Sequence, residues 1–555
     1  MIRLTELRLP LDHSSDALVY AICHRLNISR DALENFTIFR RGYDARKRGA
    51  IQLVYTLDCV VRDEALVLSC YKEMHPQDRR VFSTPEMTWR EPIESIKHGV
   101  HGAKYPQYQR PVIVGAGPCG FMAALILARM GLRPIVLERG KPVRERTKDT
   151  FAFWRRAQLT PESNVQFGEG GAGTFSDGKL FSRVRDPRFL GRKVLEEFVK
   201  AGAPEDILYL AHPHIGTFRL VSMVEHIRRE IEKSGGEYRF QSRVEELLLK
   251  PQTRHVWGVR LANGEVLETD HIILAIGHSA RDTFSLLHAQ KVEMEAKSFS
   301  MGVRIEHPQS MIDAAQFGSC AGNSRLGAAE YQLVHHSRCS GRGVYSFCMC
   351  PGGTVVAATS EEKSVVTNGM SQYSRAERNA NAALVVELRP GEDYPNTPLA
   401  GIAFQRYWEQ QAFLIGGEGY YAPVQRVGDF LKGQPSLSLG GVEASYKPGV
   451  TPTNLENCLP KNIVQALREA LPEFAQKIRG YTMEDAVMTG VETRTSSPLR
   501  ILRGLDGQSI NTPGLYPAGE GAGYAGGILS AAMDGIRIAE VVAQSIVGMP
   551  AHIKQ

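Results

Sequence analysis

The chain has 555 residues, 23% of them charged and 43% hydrophobic, and its 66 basic against 60 acidic side chains leave a formal net charge of +6. That length buries large cores and, at about 150 residues per domain, makes three or four units, while so slight a charge does not by itself point to nucleic acid. No apolar run reaches the roughly 18 residues that span a bilayer, the alternating start MIRLTELRLPLDHSSD has no signal-peptide core, and nine cysteines without framework spacing suit a reducing compartment, so the expected location is cytoplasmic.

Residues 1–85 alternate Ile2, Leu4, Leu7 and Leu9 in a first strand, follow with a helix over 15–26, and continue with strands over 36–39 and 51–61. This predicts a small ferredoxin-like βαββ module. Its RRGYDARKRG segment gathers Arg40, Arg41, Arg46, Lys47 and Arg48 in a hairpin-like turn, read as a solvated turn in preference to a docking surface for RNA or an acidic partner. Residues 86–108 read as linker.

The stretch RPVIVGAGPCGFMAALILARMGLRPIVLER, residues 110–139, predicts a nucleotide clamp. Val112, Ile113 and Val114 form a buried strand, and Gly115, Gly117 and Gly120 supply the G-x-G-x-x-G turn that opens a small-residue helix. Gly115 permits the turn, Gly117 lets backbone approach a pyrophosphate, Gly120 lets helix pack on strand, and the helix start presents N–H groups to the phosphates. Pro118 and the small packing residue Cys119 sit within the turn. A second strand ends in Glu138, expected to accept both ribose hydroxyls, with Arg139 beside it. The strings Gly168-Gly170-Gly173 and Gly521-Gly523-Gly526 also fit G-x-G-x-x-G, but no helix, strand and terminal acid follow them.

Next in the chain, NVQFGEGGAGTFSDGKL (164–180) is expected against the flavin and pyrophosphate, where the small residues Gly170, Gly171, Ala172, Gly173 and Thr174 avoid collision with a ring. Ser176, Asp177 and Lys179 are candidates to hydrogen-bond flavin or substrate. A strand over 238–241 leads to Val244 beside the adenine. The segment 268–280 forms a strand followed by Ala275 and Gly277, where the chain passes close to the cofactor.

Residues 284–484 read as an insertion forming a substrate or lid domain, with the FAD-binding domain expected at 109–283 and 485–555. In the insertion, Cys348 and Cys350 are candidates to pass electrons to a flavin. On a regular extended strand they face one side about 7 Å apart, at or beyond the limit for a disulfide, which favours small packing residues beneath the cofactor. Arg494 is the preferred anchor for an anionic or carbonyl substrate; Arg304, Glu306, His307, Arg426 and Asp429 are diffuse acid-base candidates. No metal site is expected, since His212 and His214, or His335 and His336, lack a second ligand pair. Near the C-terminus, GLYPAGEGAGYAGGILSAAMDGIRIAE (514–540) reads as strand, glycine loop and helix. There Gly519 and Glu520 face the ribityl chain, and the helix start at Gly526, Gly527 and Ile528 faces the flavin edge that becomes negative on reduction.

These segments, with HPHIGT (212–217), MGVRIEHP (301–308), VYSFCMCPGG (344–353), NGMS (368–371) and VETRTSSPLR (491–500), make the chain resemble the two-dinucleotide-binding-domain flavoproteins related to glutathione reductase, and more closely a family of FAD-dependent dehydrogenases. The resemblance covers nearly the whole chain and implies an α/β fold with a Rossmann-type FAD domain, an inserted α+β substrate domain and bound FAD. It brings no substrate, and no arginine-histidine dicarboxylate arrangement of the fumarate reductase kind maps onto the sequence. The reading is an FAD-dependent oxidoreductase passing a hydride between a small molecule and flavin N5. The rivals are a flavin-dependent RNA-modifying enzyme and a non-catalytic scaffold or electron-carrier subunit. Residues 284–484 hold no second complete G-x-G-x-x-G unit, so no Rossmann site for NAD(P)H is expected. No membrane partner is expected, and nucleic acid is disfavoured.

Overall fold

A computed structural model describes residues 1–47, 49–93, 108–182 and 184–553. Arg48 and most of the expected linker lie outside the described residues.

The N-terminal module is a four-stranded antiparallel sheet in the order Leu33–Asp44, Gln52–Val61, Ile2–Pro10, Val81–Ser83. Leu18, Ile22 and Leu26 of the helix Ala17–Leu26 pack on Ile2, Leu4, Leu53 and Leu57 of the sheet. The expected βαββ is extended by a helix, Glu64–Met74, and an edge strand, which complete the ferredoxin-like βαββαβ pattern. That helix buries Tyr71 alone, so it carries little apolar periodicity to read. The basic segment is not one turn. Arg40 and Arg41 belong to the strand Leu33–Asp44, whose Arg41 N–H donates to Tyr209 O at 2.6 Å and whose Arg41 carbonyl accepts from Ala211 at 2.8 Å, pinning the module to the neighbouring domain.

The domain expected to bind the dinucleotide carries a five-stranded parallel sheet ordered Leu515–Pro517, Ile272–Leu274, Val112–Val114, Ile135–Leu137, Glu237–Arg239. The C-terminal strand therefore returns to the edge of the sheet begun some 400 residues earlier. Strand alternation sends Ile113, Val136, Ile273 and Tyr516 to a helical face, and Val112, Val114, Leu137 and Leu274 to a face covered by the meander Val244–Leu249, Val256–Leu261, Val266–Glu268. On the helical face Pro118–Arg129 meets Ile528–Ile546 so closely that a Cβ on Gly535 would fall 2.3 Å from Cys119 O.

The inserted layer is a separate eight-stranded sheet centred on Phe299–Pro308, which pairs antiparallel with Asn379–Leu388 and Val487–Glu492. The strand Val487–Glu492 thus belongs to the insertion, past the expected boundary at 484/485; all six of its residues are buried, as a central strand covered on both faces must be. The first domain resumes at Leu499–Ile501, paired with Met294–Ala296. Among the described residues no helix is long and apolar enough to cross a membrane.

Candidate functional site

The two sheets enclose a cavity of about 410 Å³. Its floor is the turn Gly115 to Cys119, at the carboxyl end of the strand Val112–Val114, where an open parallel sheet leaves room for a ligand. Gly115 has φ +104°, and any Cβ on it would fall 2.4 Å from Ala275 O. Gly117 and Gly171 face each other backbone to backbone, a Cβ on Gly117 meeting Gly171 Cα at 3.7 Å. At the far end Gly277, Gly526 and Gly527 line the cavity with nothing within 4 Å of where a Cβ would stand. These bare backbones form a groove that side chains would fill, with a helix start at each end, Pro118–Arg129 and Ile528–Ile546, to meet negative charge.

Glu138 is buried at the groove's edge, its Oε1 accepting from Gly140 and Gly168 N–H at 2.8 and 3.0 Å and its Oε2 from Ala116 N–H at 2.9 Å. A carboxylate has about four acceptor positions. One remains free, so Glu138 can take one ribose hydroxyl, not the two expected. Arg139, beneath Phe167 and paired with Glu162 and Asp282, and Val244 and Ala275 also line the cavity. Glu520 lines it too, and accepts from His278 Nδ1 at 3.0 Å. The other nitrogen of His278, Nε2, is buried without a protein partner, as suits a polar ligand in the cavity. Sequence reasoning passed over His278, although it directly follows Gly277 in the string AIGHSA.

Four expected cofactor contacts do not line the cavity. Gly120 and Gly519 are packing glycines: a Cβ on Gly120 would fall 1.9 Å from Gly115 O, and one on Gly519 2.8 Å from Cys119 Cβ. Gly170, at φ +88°, turns the chain, and Thr174 is buried beside it, its Oγ1 taking a 3.5 Å contact from Arg146. Gly171, Ala172, Gly173, Pro118, Cys119 and Ile528 do line it.

The opposite wall comes from the inserted sheet and the loop around Lys179. Asp177 is bound by Arg375 at 2.5 and 3.1 Å, and Arg375 also holds Glu330 at 2.6 Å, so Asp177 anchors a wall instead of facing a ligand alone. Burial opposes ionisation of Glu330, yet Lys179, His212 and Arg375 hold its carboxyl well below the usual carboxylate range. Lys179 Nζ donates to Met349 O. Glu330 had no local sequence signal and Asn368 only its place in the string NGMS; the fold brings both here.

Arg494 lines the cavity, but its guanidinium is taken up by Glu409 at 3.2 and 3.1 Å and by the hydroxyls of Ser279 and Ser360 at 3.1 and 2.6 Å. It is part of a buried Arg281, Glu409, Arg494 cluster, not the free substrate anchor expected. The regular strand assumed for Cys348 and Cys350 is also absent. Gly343–Ala357 shifts register between Phe347 and Cys350 and again before Gly353, and Cys348 sits at φ +45°. The strand kinks, and the separation expected of an extended chain does not apply. Cys348 lines the cavity while Cys350 is fully buried behind it.

Among the diffuse candidates, Arg304 forms a buried bidentate pair with Glu492 at 3.0 and 2.9 Å, Glu306 is buried against Ser445 and Asn379, and His307 is buried against Tyr481 O at 2.7 Å. Arg426 pairs with Asp429 at 2.8 Å. None of the five lines the cavity. Among the described residues no group of histidine, cysteine and acidic side chains is arranged to hold a metal. In the N-terminal basic segment, Arg46 is paired with Asp44.

Comparison with known proteins matches residues 110–150 to an FAD binding domain, residues 298–495 to the family described as FAD-dependent protein, C-terminal domain-like, and residues 1–60 to a domain of unknown function. A Clostridium beijerinckii protein described as uncharacterized is 47% identical over 97% of this chain and 98% of its own. The chain belongs to one family with that protein, a family of FAD-dependent proteins. Similar solved structures are more distant. L-proline dehydrogenase from P. horikoshii is 12% identical, with 79% of this chain and 94% of that one covered at a TM-score of 0.38. A halogenase in complex with FAD is 12% identical, with 80% and 72% covered at 0.39. Glycine oxidase from Bacillus cereus is 10% identical, with 81% and 99% covered at 0.32.

Proposed function

We propose that this flavoprotein is a dehydrogenase that moves a hydride between a small organic substrate and flavin N5. The observation that carries the reading is one cavity walled on one side by the phosphate turn and the glycines 526 and 527, and on the other by Phe347, Cys348, Met349 and Asn368 of the inserted sheet. A substrate on that second wall lies against whatever occupies the first.

FAD, when bound, supplies the electron chemistry; the chain supplies position and field. Gly117 and the first turn of Pro118–Arg129 would hold the pyrophosphate with backbone N–H groups, and Glu138 Oε2, which Ala116 N–H leaves with one position free, would take a ribose hydroxyl. Glu520, oriented by His278, would accept from hydroxyls of the bound cofactor. The first turn of Ile528–Ile546 would set partial positive charge against it and favour added negative charge. On the substrate wall, Phe347 and Met349 exclude water, and Lys179, whose Nζ donates to Met349 O, is a cation at the kinked strand.

The test is an anaerobic screen in which the oxidised holoprotein meets pools of small alcohols, amines and hydroxy acids. Bleaching of the flavin by one pool, saturable in the isolated compound and blocked by Phe347→Trp with FAD still bound, is the expected result. Flavin that no small molecule reduces or reoxidises, but that a protein partner does, contradicts the reading in favour of an electron-carrier subunit.

A further inference from the structure

The strand Gly343–Ala357 leaves its regular register at the point where it meets the cavity. Cys348 is held at φ +45°, a left-handed conformation that a non-glycine residue rarely adopts and that persists only where its surroundings enforce it. Three contacts enforce it here: Arg304 Nη1 donates to Cys348 O at 2.9 Å, Lys179 Nζ donates to the next carbonyl, Met349 O, and Cys350 Sγ reaches back to Cys348 O at 3.4 Å. Cys348 lines the cavity, and the fully buried Cys350 brings its Sγ within 3.4 Å of the Cys348 carbonyl. Both are free thiols.

We propose that Cys348 and Cys350 are a redox-active dithiol that exchanges an electron pair with the flavin. The proposal rests on the FAD reading of the cavity and adds to it an internal electron store between flavin and substrate or partner.

The electrostatics agree with the geometry. The neighbouring Cys350 thiol, then Arg304 and Lys179, bring the Cys348 thiol below the usual thiol range against burial and Glu492. Cys348 and burial push Cys350 up against Arg304, so Cys348 is the first of the pair to ionise. A thiolate at the surface beside a protonated partner is the arrangement that thiol–disulfide chemistry needs. In the oxidising direction the Cys348 thiolate and the Cys350 thiol lose an electron pair and one proton as an S–S bond forms and the S–H bond breaks. Oxidised FAD gains that pair and proton and becomes the reduced anion. The reverse step restores the dithiol.

A mild thiol oxidant, followed by desalting and anaerobic dithionite titration of the holoprotein, reads the store directly. Wild type is expected to consume two two-electron equivalents per FAD, and Cys348→Ser and Cys350→Ser one each with unchanged FAD content. On the untreated wild-type chain, alkylation of Cys348 by iodoacetamide, followed by mass spectrometry with and without FAD, is expected to reach half its maximum at a pH below the range of an ordinary thiol. A wild type that consumes one equivalent overturns the proposal and leaves the thiols as packing residues; so does alkylation that begins only above pH 8. A chain that carries no FAD contradicts the proposed function instead. The pair is then read by mass alone, loss of a hydrogen pair from the peptide carrying 348 and 350 after oxidation supporting the dithiol and an unchanged mass overturning it.

Discussion

Two arginines share one carboxylate beneath the cavity: Arg281 and Arg494 both bind Glu409, which is wholly buried, as is Arg281. Burial alone would drive Glu409 to stay protonated, but the two guanidinium groups hold its carboxyl well below the usual carboxylate range. Removing one member of such a cluster leaves uncompensated charge out of water. Glu409→Gln is expected to cost about 3 kcal/mol in urea unfolding; an unchanged midpoint would mean that water already reaches the cluster. A second buried group gives a pH signature. Burial brings His307 down from the ordinary 6.5 to about 4, so between those values the unfolded chain binds a proton that the folded chain does not. Stability then rises with pH through that window, by at most about 3 kcal/mol, and is lost as pH falls from 6.5 toward 4. Denaturant midpoints at pH 7 and 4.5 in wild type and His307→Gln check this, a shallower slope being expected in the variant.

At the scale of elements, the glycines of the phosphate turn separate into two classes that the string G-x-G-x-x-G does not distinguish. A side chain on Gly117 meets only Gly171 Cα, at 3.7 Å, whereas one on Gly120 runs into Gly115 O at 1.9 Å. Gly117→Val is therefore expected to fold, with wild-type circular dichroism, and to bind no FAD; Gly120→Val is expected to lose the packing of Pro118–Arg129 on its strand and the fold with it. Retention of FAD by folded Gly117→Val would place the pyrophosphate elsewhere. This turn was legible in the sequence because its chemistry is local: strand, glycines, helix and Glu138 lie within thirty residues. What was misread depends on distance. The kink at Cys348 is enforced by Arg304 and Lys179, from other elements, and nothing in YSFCMCPGG announces it. Arg494 looked free because Glu409, its partner, lies 85 residues away on the helix Ala400–Ile415. Glu138 looked able to hold two hydroxyls because its bonds to Ala116 and Gly168, 22 and 30 residues away, arise only once the chain folds back.

For the whole molecule, the return of Leu515–Pro517 to the sheet of Val112–Val114 closes one dinucleotide domain around an insertion whose sheet is antiparallel except for one edge pair, Ala422–Arg426 with Val450–Pro452. Among the described residues that insertion carries no second glycine-turn βαβ unit, so NADH and NADPH at micromolar concentration are expected to reduce the flavin only slowly and without saturation in stopped-flow absorbance. Fast, saturable reduction would contradict that expectation. The domain plan was legible at coarse grain, since the two flavin segments mark both ends of the interruption; the strand Val487–Glu492 was assigned to the wrong side because a strand buried on both faces carries no alternation to say which sheet it joins. Every step of the account depends on the groove from Gly115 to Ile528 holding FAD. Heat denaturation of the purified chain, followed by chromatography of the released cofactor, tests that most directly: FAD near one equivalent per chain is the predicted result, and a colourless chain that takes up no added FAD, or one that releases FMN, would contradict it.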